Sequence, residues 1–130
     1  MKGLFPNDGP ARELGTGISV DTLLSRDVLS RLHSEFGDET ATDLVHTFID
    51  DALRLTNAMK KSLVAGDDDG VRQAAHALKS TAALVGAQDL ARASAELMTI
   101  MRVAKLRPKV AEVVQLWTAT RSALRLAGYI

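Results

Sequence analysis

AHALKSTAALVGA, residues 75–87, has the most informative pattern in this chain. At about 100° per residue, one stripe of a helix collects the apolar residues of this region, which are Val71, Ala74, Ala75, Leu78, Ala82 and Val85. His76 lies roughly 160° from the middle of that stripe. A histidine inside a helical bundle would lie on the stripe itself. The pattern therefore predicts an amphipathic helix that buries one side and presents an imidazole to a macromolecular partner.

The residues beside His76 suit an anionic group. Arg72 lies one turn before it and Lys79 one turn after it on the same side, with Ser80 next to Lys79. A neutral imidazole nitrogen is a nucleophile near pH 7 and can hold a phosphoryl group as a labile phosphoramidate. Positive charge favours the docking and transfer of such a group, and a serine hydroxyl can bond the ring or a phosphoryl oxygen. The same residues also fit an ordinary solvated helix face.

Composition limits the remaining possibilities. The chain has 130 residues, which is enough for one domain with one core. Hydrophobic residues make up 46% of it but aromatic residues only 4%, so Ala, Leu and Val must fill the core of closely packed helices. Sixteen basic and sixteen acidic residues cancel, which argues against a nucleic-acid binder. The absence of cysteine excludes disulfides and thiolate chemistry.

Helical periodicity continues before the central stretch. A short helix is predicted near residues 25–36, with Phe36 facing inward and Gly37 ending it. A long second helix is predicted over about residues 39–65, with Asp38 as its N-cap.

Glycine turns are predicted at both ends of the helix that carries the histidine. Gly66 turns the chain, Asp67 or Asp68 caps this third helix, and Gly86 stops it after about Val85. Acidic residues at a helix N-terminus are favourable, so the run of three aspartates is explained by capping and not by a metal site.

A fourth helix is predicted over about residues 88–105, with Met101 and Ala104 among its buried residues. A fifth helix is predicted with Pro108 in its first turn. Short connections between long amphipathic helices favour an all-α fold, an antiparallel up-down four-helix bundle with a short extra N-terminal helix. Residues 23–130 form this bundle, and residues 1–22 are predicted to be a flexible or loosely packed arm.

The central stretch resembles the histidine-containing phosphotransfer (HPt) domains of bacterial and fungal multistep phosphorelays. Their helix reads His-x-Leu-Lys-Gly/Ser-Ser/Ala followed by a Gly-Ala pair. The resemblance covers roughly residues 27–105 and includes the Gly-Asp turn before the helix. The matching residues of the helix are His76, Leu78, Lys79, Ser80, Gly86 and Ala87.

This resemblance implies a phosphorelay intermediate with a four-helix bundle and no kinase activity of its own. His76 would accept the phosphoryl group from a receiver-domain aspartate and pass it to another response regulator. The implied partners are receiver domains of a hybrid sensor kinase or a response regulator, docking on a surface that includes Arg72, Ala77 and Ala83. No cofactor is expected, since magnesium would belong to the receiver. We also expect a monomer that does not bind nucleic acid. No apolar run is long enough for a signal peptide or a membrane span, so a cytoplasmic protein without membrane contact is expected.

An alternative function stays open. Many HPt relatives place Glu or Gln after the leucine equivalent to Leu97, where it orients the ring, and this chain has Met98. A degenerate HPt domain would keep the bundle and bind receiver or kinase domains without phosphotransfer. Met98 would then be core filler, like Met101.

The two other histidines are expected to have no role in transfer. His33 and His46 are predicted to be surface or ion-pairing residues. The three histidines fall on different helices without ligand spacing, so no metal site is expected.

Overall fold

The computed structural model describes residues 20–130, and this part of the chain is all helical. The elements are α1 (Val20–Leu23), α2 (Arg26–Phe36), α3 (Asp38–Val64), α4 (Asp68–Leu84), α5 (Gln88–Met98) and α6 (Val103–Leu126). Three or four residues join each pair of consecutive helices from α3 to α6, so these four run antiparallel. The predicted four-helix bundle is confirmed, with two short helices before it. No described helix is long and apolar enough to cross a membrane.

The predicted N-terminal arm, residues 1–22, lies outside the described residues except for its last three positions. Those three belong to α1, whose final residue, Leu23, is fully buried in the core.

The core is built from many small side chains and few large ones. Phe48 of α3 meets Trp117 of α6 edge to face, with ring centroids 5.7 Å apart and an interplanar angle of 87°. Between the helices, Ala52, Ala75 and Ala93 are fully buried. Alanine at such positions lets helix axes approach closely, because interiors are packed at crystal-like density. A chain with so few aromatic residues therefore forms a tight bundle.

The junction of α2 and α3 differs in detail from the prediction. Gly37, with φ of 84°, ends α2 by donating its N–H to the carbonyl of His33. Asp38 is not the N-cap of α3 but its first helical residue, and its carboxylate accepts a 2.8 Å hydrogen bond from Nδ1 of His33. Phe36 is 53% exposed and does not face inward, because α2 ends at this residue before it can pack on the core.

Glycine turns bound α4 at both ends, as predicted. Gly66 has φ of 73°, and Asp67 caps α4 by accepting from the amide of the helix's third residue. Gly86 has φ of 81°, and its carbonyl accepts a 2.8 Å bond from the amide of Ser25. A Cβ at Gly86 would lie 2.9 Å from that of Val28. The turn after α4 therefore requires glycine both for its conformation and for its contact with α2.

The fourth predicted helix is shorter than expected. α5 ends at Met98, and the amides of Thr99 and Ile100 bond carbonyls only three residues back. The Thr99 hydroxyl donates to the carbonyl of Glu96 at 2.7 Å, which completes the helix end. Met101 follows in the connection and is 78% exposed, so its predicted burial is wrong. The prediction was too long because the helical spacing of apolar residues continues to Met101 and Ala104, beyond the end of α5 at Met98.

Pro108 lies inside α6 and not in its first turn. The helix begins at Val103, so the proline is its sixth residue. Proline has no N–H, and its ring crowds the carbonyl four residues back, here that of Ala104. Ala104 is exposed, contrary to its predicted burial, so water can reach that carbonyl. The helix therefore accommodates a proline near its solvent-exposed start.

The two other histidines hold the C-terminal end of the described chain. Gly128, with φ of 93°, turns the chain after α6 and places Tyr129 against α2 and α3. The hydroxyl of Tyr129 lies 2.7 Å from Nε2 of His33, and its carbonyl lies 3.0 Å from Nε2 of His46. Burial, together with the nearby carboxylate of Asp38, raises the pKa of Tyr129. These contacts are structural. His33 does contact a carboxylate, that of Asp38, but only 9% of its side chain is exposed, so the prediction of a surface residue is wrong for His33.

Candidate functional site

Helix α4 has the two faces that its sequence predicts. All six residues of the apolar stripe are buried, namely Val71, Ala74, Ala75, Leu78, Ala82 and Val85. His76 is exposed on the opposite side. Burial of the stripe between α3 and α5 fixes the rotation of α4 about its axis, because any other rotation would expose the stripe. The core of the bundle therefore holds the imidazole on the protein surface.

Four of the residues predicted around His76 share its exposed face. Lys79, Ser80, Ala77 and Ala83 are all exposed. Ala83 lies two turns along the helix and about 20° around it from the histidine. The structure therefore brings together an imidazole, a cation, a hydroxyl and two small side chains on one exposed face of α4.

One apolar residue on this face was not predicted. Leu84 is 49% exposed and lies about 80° around α4 from His76. The sequence could have revealed it, because Leu84 lies outside the apolar stripe of α4 although burial of a leucine side chain is energetically favourable. Leu84 adds apolar area to this face, and the buried centre of a protein interface is more apolar than its rim.

The ring of His76 is free to react. Within residues 20–130, neither ring nitrogen has a hydrogen-bond partner. The hydroxyl of Ser80 donates instead to the backbone carbonyl of His76, at 3.3 Å. Lys79 likewise makes no ion pair or hydrogen bond with the described part of the chain. Neither the imidazole of His76 nor the ammonium group of Lys79 is therefore engaged by another described residue.

Arg72 is engaged elsewhere. Its Nε and Nη2 donate to the carbonyl of Ile100 at 3.2 and 2.9 Å, and its Nη1 lies 3.5 Å from Oδ1 of Asp69. The side chain is only 22% exposed. The sequence predicts Arg72 on the partner-docking surface. It gives no sign of the bond from Arg72 to Ile100, because these two residues are 28 positions apart.

An ion-pair cluster joins α5 to α6. Nζ of Lys109 lies 2.6 Å from Glu96 and 3.1 Å from Glu112. The hydrogen bond from Lys109 holds the pKa of Glu96 below its usual value. Desolvation opposes the charge on Lys109, but the two carboxylates outweigh it and raise the pKa of the lysine. Glu96, which also bonds Arg92 at 2.9 Å, is thus committed to this cluster.

Met98 packs as the sequence suggested. It belongs to the partly buried hydrophobic residues that lie against the core, at the C-terminal end of α5. A thioether there fills space and accepts only weak hydrogen bonds.

Comparisons with known proteins agree with this geometry. The sequence model described as the Hpt domain matches residues 43–127. Among solved structures, the chain is similar to histidine-containing phosphotransfer protein B (HptB) from Pseudomonas aeruginosa PAO1. The TM-score is 0.72 at 25% identity, over 79% of this chain and 91% of that one. No curated protein sequence matches significantly.

The bundle, the family match and the similar structure together support the general role of an HPt protein, a phosphocarrier of phosphorelays. The Hpt match covers more than half of the chain and includes all of α4, α5 and α6 up to Leu126. This chain therefore belongs to the Hpt family, and the resemblance inferred from its sequence is confirmed.

Proposed function

We propose that His76 accepts a phosphoryl group from the phosphorylated aspartate of a receiver domain and passes it to a second receiver, in a cytoplasmic phosphorelay. A ring nitrogen of neutral His76 attacks phosphorus, the P–N bond forms, and the P–O bond to the aspartate breaks. The aspartate leaves as a carboxylate, and the imidazole loses its N–H proton to solvent. Transfer to the second receiver reverses these steps on another aspartate.

The observation that carries this proposal is the free imidazole on the exposed face of α4. A nucleophile must reach phosphorus in line with the leaving oxygen, which requires a surface that a second protein can approach closely. Ala77 and Ala83 leave that space, and Leu84 adds apolar area to the contact. Lys79 supplies positive charge to the phosphoryl oxygens.

The chain needs no cofactor in this scheme. The acyl phosphate of the receiver is already activated, so His76 requires neither nucleotide nor metal of its own. Magnesium would be bound by the receiver domain, and the protein would act as a phosphocarrier and not as a kinase.

A second candidate function is docking without phosphotransfer. The observation that favours it is that no side chain among residues 20–130 orients the ring. Ser80 bonds the backbone, Glu96 is held by Lys109, and Met98 packs on the core. A mobile His76 ring would accept a phosphoryl group more slowly. The exposed surface around Leu84 could still bind a receiver domain.

Transfer from a receiver domain that carries ³²P on its aspartate separates the two functions. We expect acid-labile label to appear on the wild-type protein and then to move to a second, unlabelled receiver. His76→Gln should remove the label, while His46→Gln, an exposed histidine of α3, should keep it. Binding of the receiver by calorimetry without any label would favour the docking module.

A further inference from the structure

Arg72 connects the helix of the phosphoacceptor to the end of α5. Two nitrogens of its guanidinium group donate to one backbone carbonyl, that of Ile100, and the third nitrogen lies near Asp69. Ile100 belongs to the four-residue connection between α5 and α6. A single side chain from α4 thus holds this connection by its carbonyl.

The same guanidinium is within reach of a group on His76. Arg72 precedes the histidine by four residues on the same face, where the Cβ atoms of such pairs are about 5–6 Å apart. Lys79 lies on the other side of the histidine, one turn further along α4. A phosphoryl group on the ring would therefore stand between two cations, of which only Arg72 has a partner to give up within the described residues.

The connection held by Arg72 has an exposed, apolar surface. Ile100 lines an open groove of about 300 Å³ together with Ala104, Lys105, Pro108, Lys109 and Glu112. The adjacent Met101 and Val103 are 78% and 63% exposed. Movement of this connection would change the shape of the groove and of the apolar surface around it.

We infer that Arg72 is a phosphoryl-responsive positioning residue, which leaves the carbonyl of Ile100 for the phosphoryl group when His76 is phosphorylated. A neutral carbonyl competes here with a dianionic group, whose charge adds a Coulombic attraction to the hydrogen bonds that the guanidinium makes with either partner. The planar guanidinium also fits two phosphoryl oxygens at once. The exchange releases the carbonyl of Ile100 within the connection of residues 99–102, so the groove that Ile100 lines differs between the two states of the protein. This inference rests on the proposed function.

Nuclear magnetic resonance on the ¹⁵N-labelled full chain tests the exchange. Potassium phosphoramidate phosphorylates imidazoles directly, and the ring signals of His76 report whether it has reacted. On phosphorylation we expect the Nε–Hε signal of Arg72 and the amide signals of residues 100–103 to shift by more than a line width. Arg72→Gln should displace those amides before phosphorylation and abolish their further response.

Arg54 provides the matched control. It is a surface arginine that lies 3.5 Å from an aspartate three residues earlier, as Arg72 does, but it is on α3. Arg54→Gln should leave the response of residues 100–103 unchanged. The inference fails if His76 becomes phosphorylated while the Arg72 signal and these amides stay in place. If His76 reacts neither with phosphoramidate nor with a phosphorylated receiver, the proposed function fails instead, and the inference with it.

Discussion

Replacement of Lys79 by alanine tests whether the charge beside His76 assists transfer. The side chains of residues three apart on a helix lie about 5–6 Å from each other, and a phosphoryl group carries a charge of about −1.5 to −2 near pH 7. Lys79 is exposed, so the dielectric constant of water applies and the attraction is about 1.3 kcal/mol. Loss of this attraction slows transfer by roughly tenfold at low salt. At 0.15 M salt, where the screening length is about 8 Å, the effect falls to roughly threefold.

The assay is the rate of phosphoryl transfer from a phosphorylated receiver domain to the protein, measured at two salt concentrations. Lys79→Arg should keep most of the rate, since it keeps the charge. Lys60→Ala, which removes an exposed lysine from α3, is the control for net charge and should change the rate by less than about twofold. Equal rates for Lys79→Ala and the wild-type protein at low salt would refute the electrostatic role.

Three further predictions concern docking, the turn after α4 and the ion-pair cluster. Ala83→Arg should block transfer from the receiver without lowering the urea midpoint, and normal exchange in this variant would move the docking face elsewhere. Gly86→Ala should cost about 2–3 kcal/mol in urea unfolding, from a positive φ and a close contact with α2. Gly66→Ala, with open space around it, should cost only about 1–2 kcal/mol. Equal costs for the two variants would show that contact with Val28 does not destabilise Gly86→Ala. Lys109→Met should destabilise the protein by about 1 kcal/mol at pH 7. The pKa of Glu96 is lower in the folded protein than in the unfolded chain. The ion pair of Glu96 therefore adds to the free energy of unfolding above the unfolded pKa, and this stabilisation is lost as the pH falls through the folded pKa. In Lys109→Met, the free energy of unfolding should therefore depend less on pH below about pH 4.5 than in the wild-type protein. The same pH dependence in both proteins would contradict a stabilising ion pair between Lys109 and Glu96.

Helix boundaries were predictable where a local signal sets them. The start of α4 at Asp68 and its end at Leu84 follow from Asp67 and the two glycine turns, which act within a few residues of the chain. The end of α5 was not predictable in this way. Met101 and Ala104 continue the helical spacing, but the chain leaves the helix at Thr99, and Arg72 of α4 binds the next carbonyl. That contact is tertiary, so no local pattern could reveal it.

The site was predictable to the extent that it depends on helical phase. Exposure of His76, Lys79 and Ala83 follows from the angle between each residue and the apolar stripe. The partners of Arg72 and Glu96 depend on which helices become neighbours in the bundle, and on the side chains those neighbours present. Helical phase alone therefore predicts the exposed position of His76 but not the hydrogen bonds and ion pairs of the residues around it.

Identification of the phosphorylated atom decides whether His76 is the phosphoacceptor. The protein is labelled by a phosphorylated receiver domain, and long-range ¹H–¹⁵N spectra of its imidazole groups are recorded before and after transfer. We expect the ring signals of His76 to change to those of a phosphoramidate, while His33 and His46 keep theirs. A phosphoryl group on either of those two histidines, or label that resides on no histidine, would show that His76 is not the phosphoacceptor.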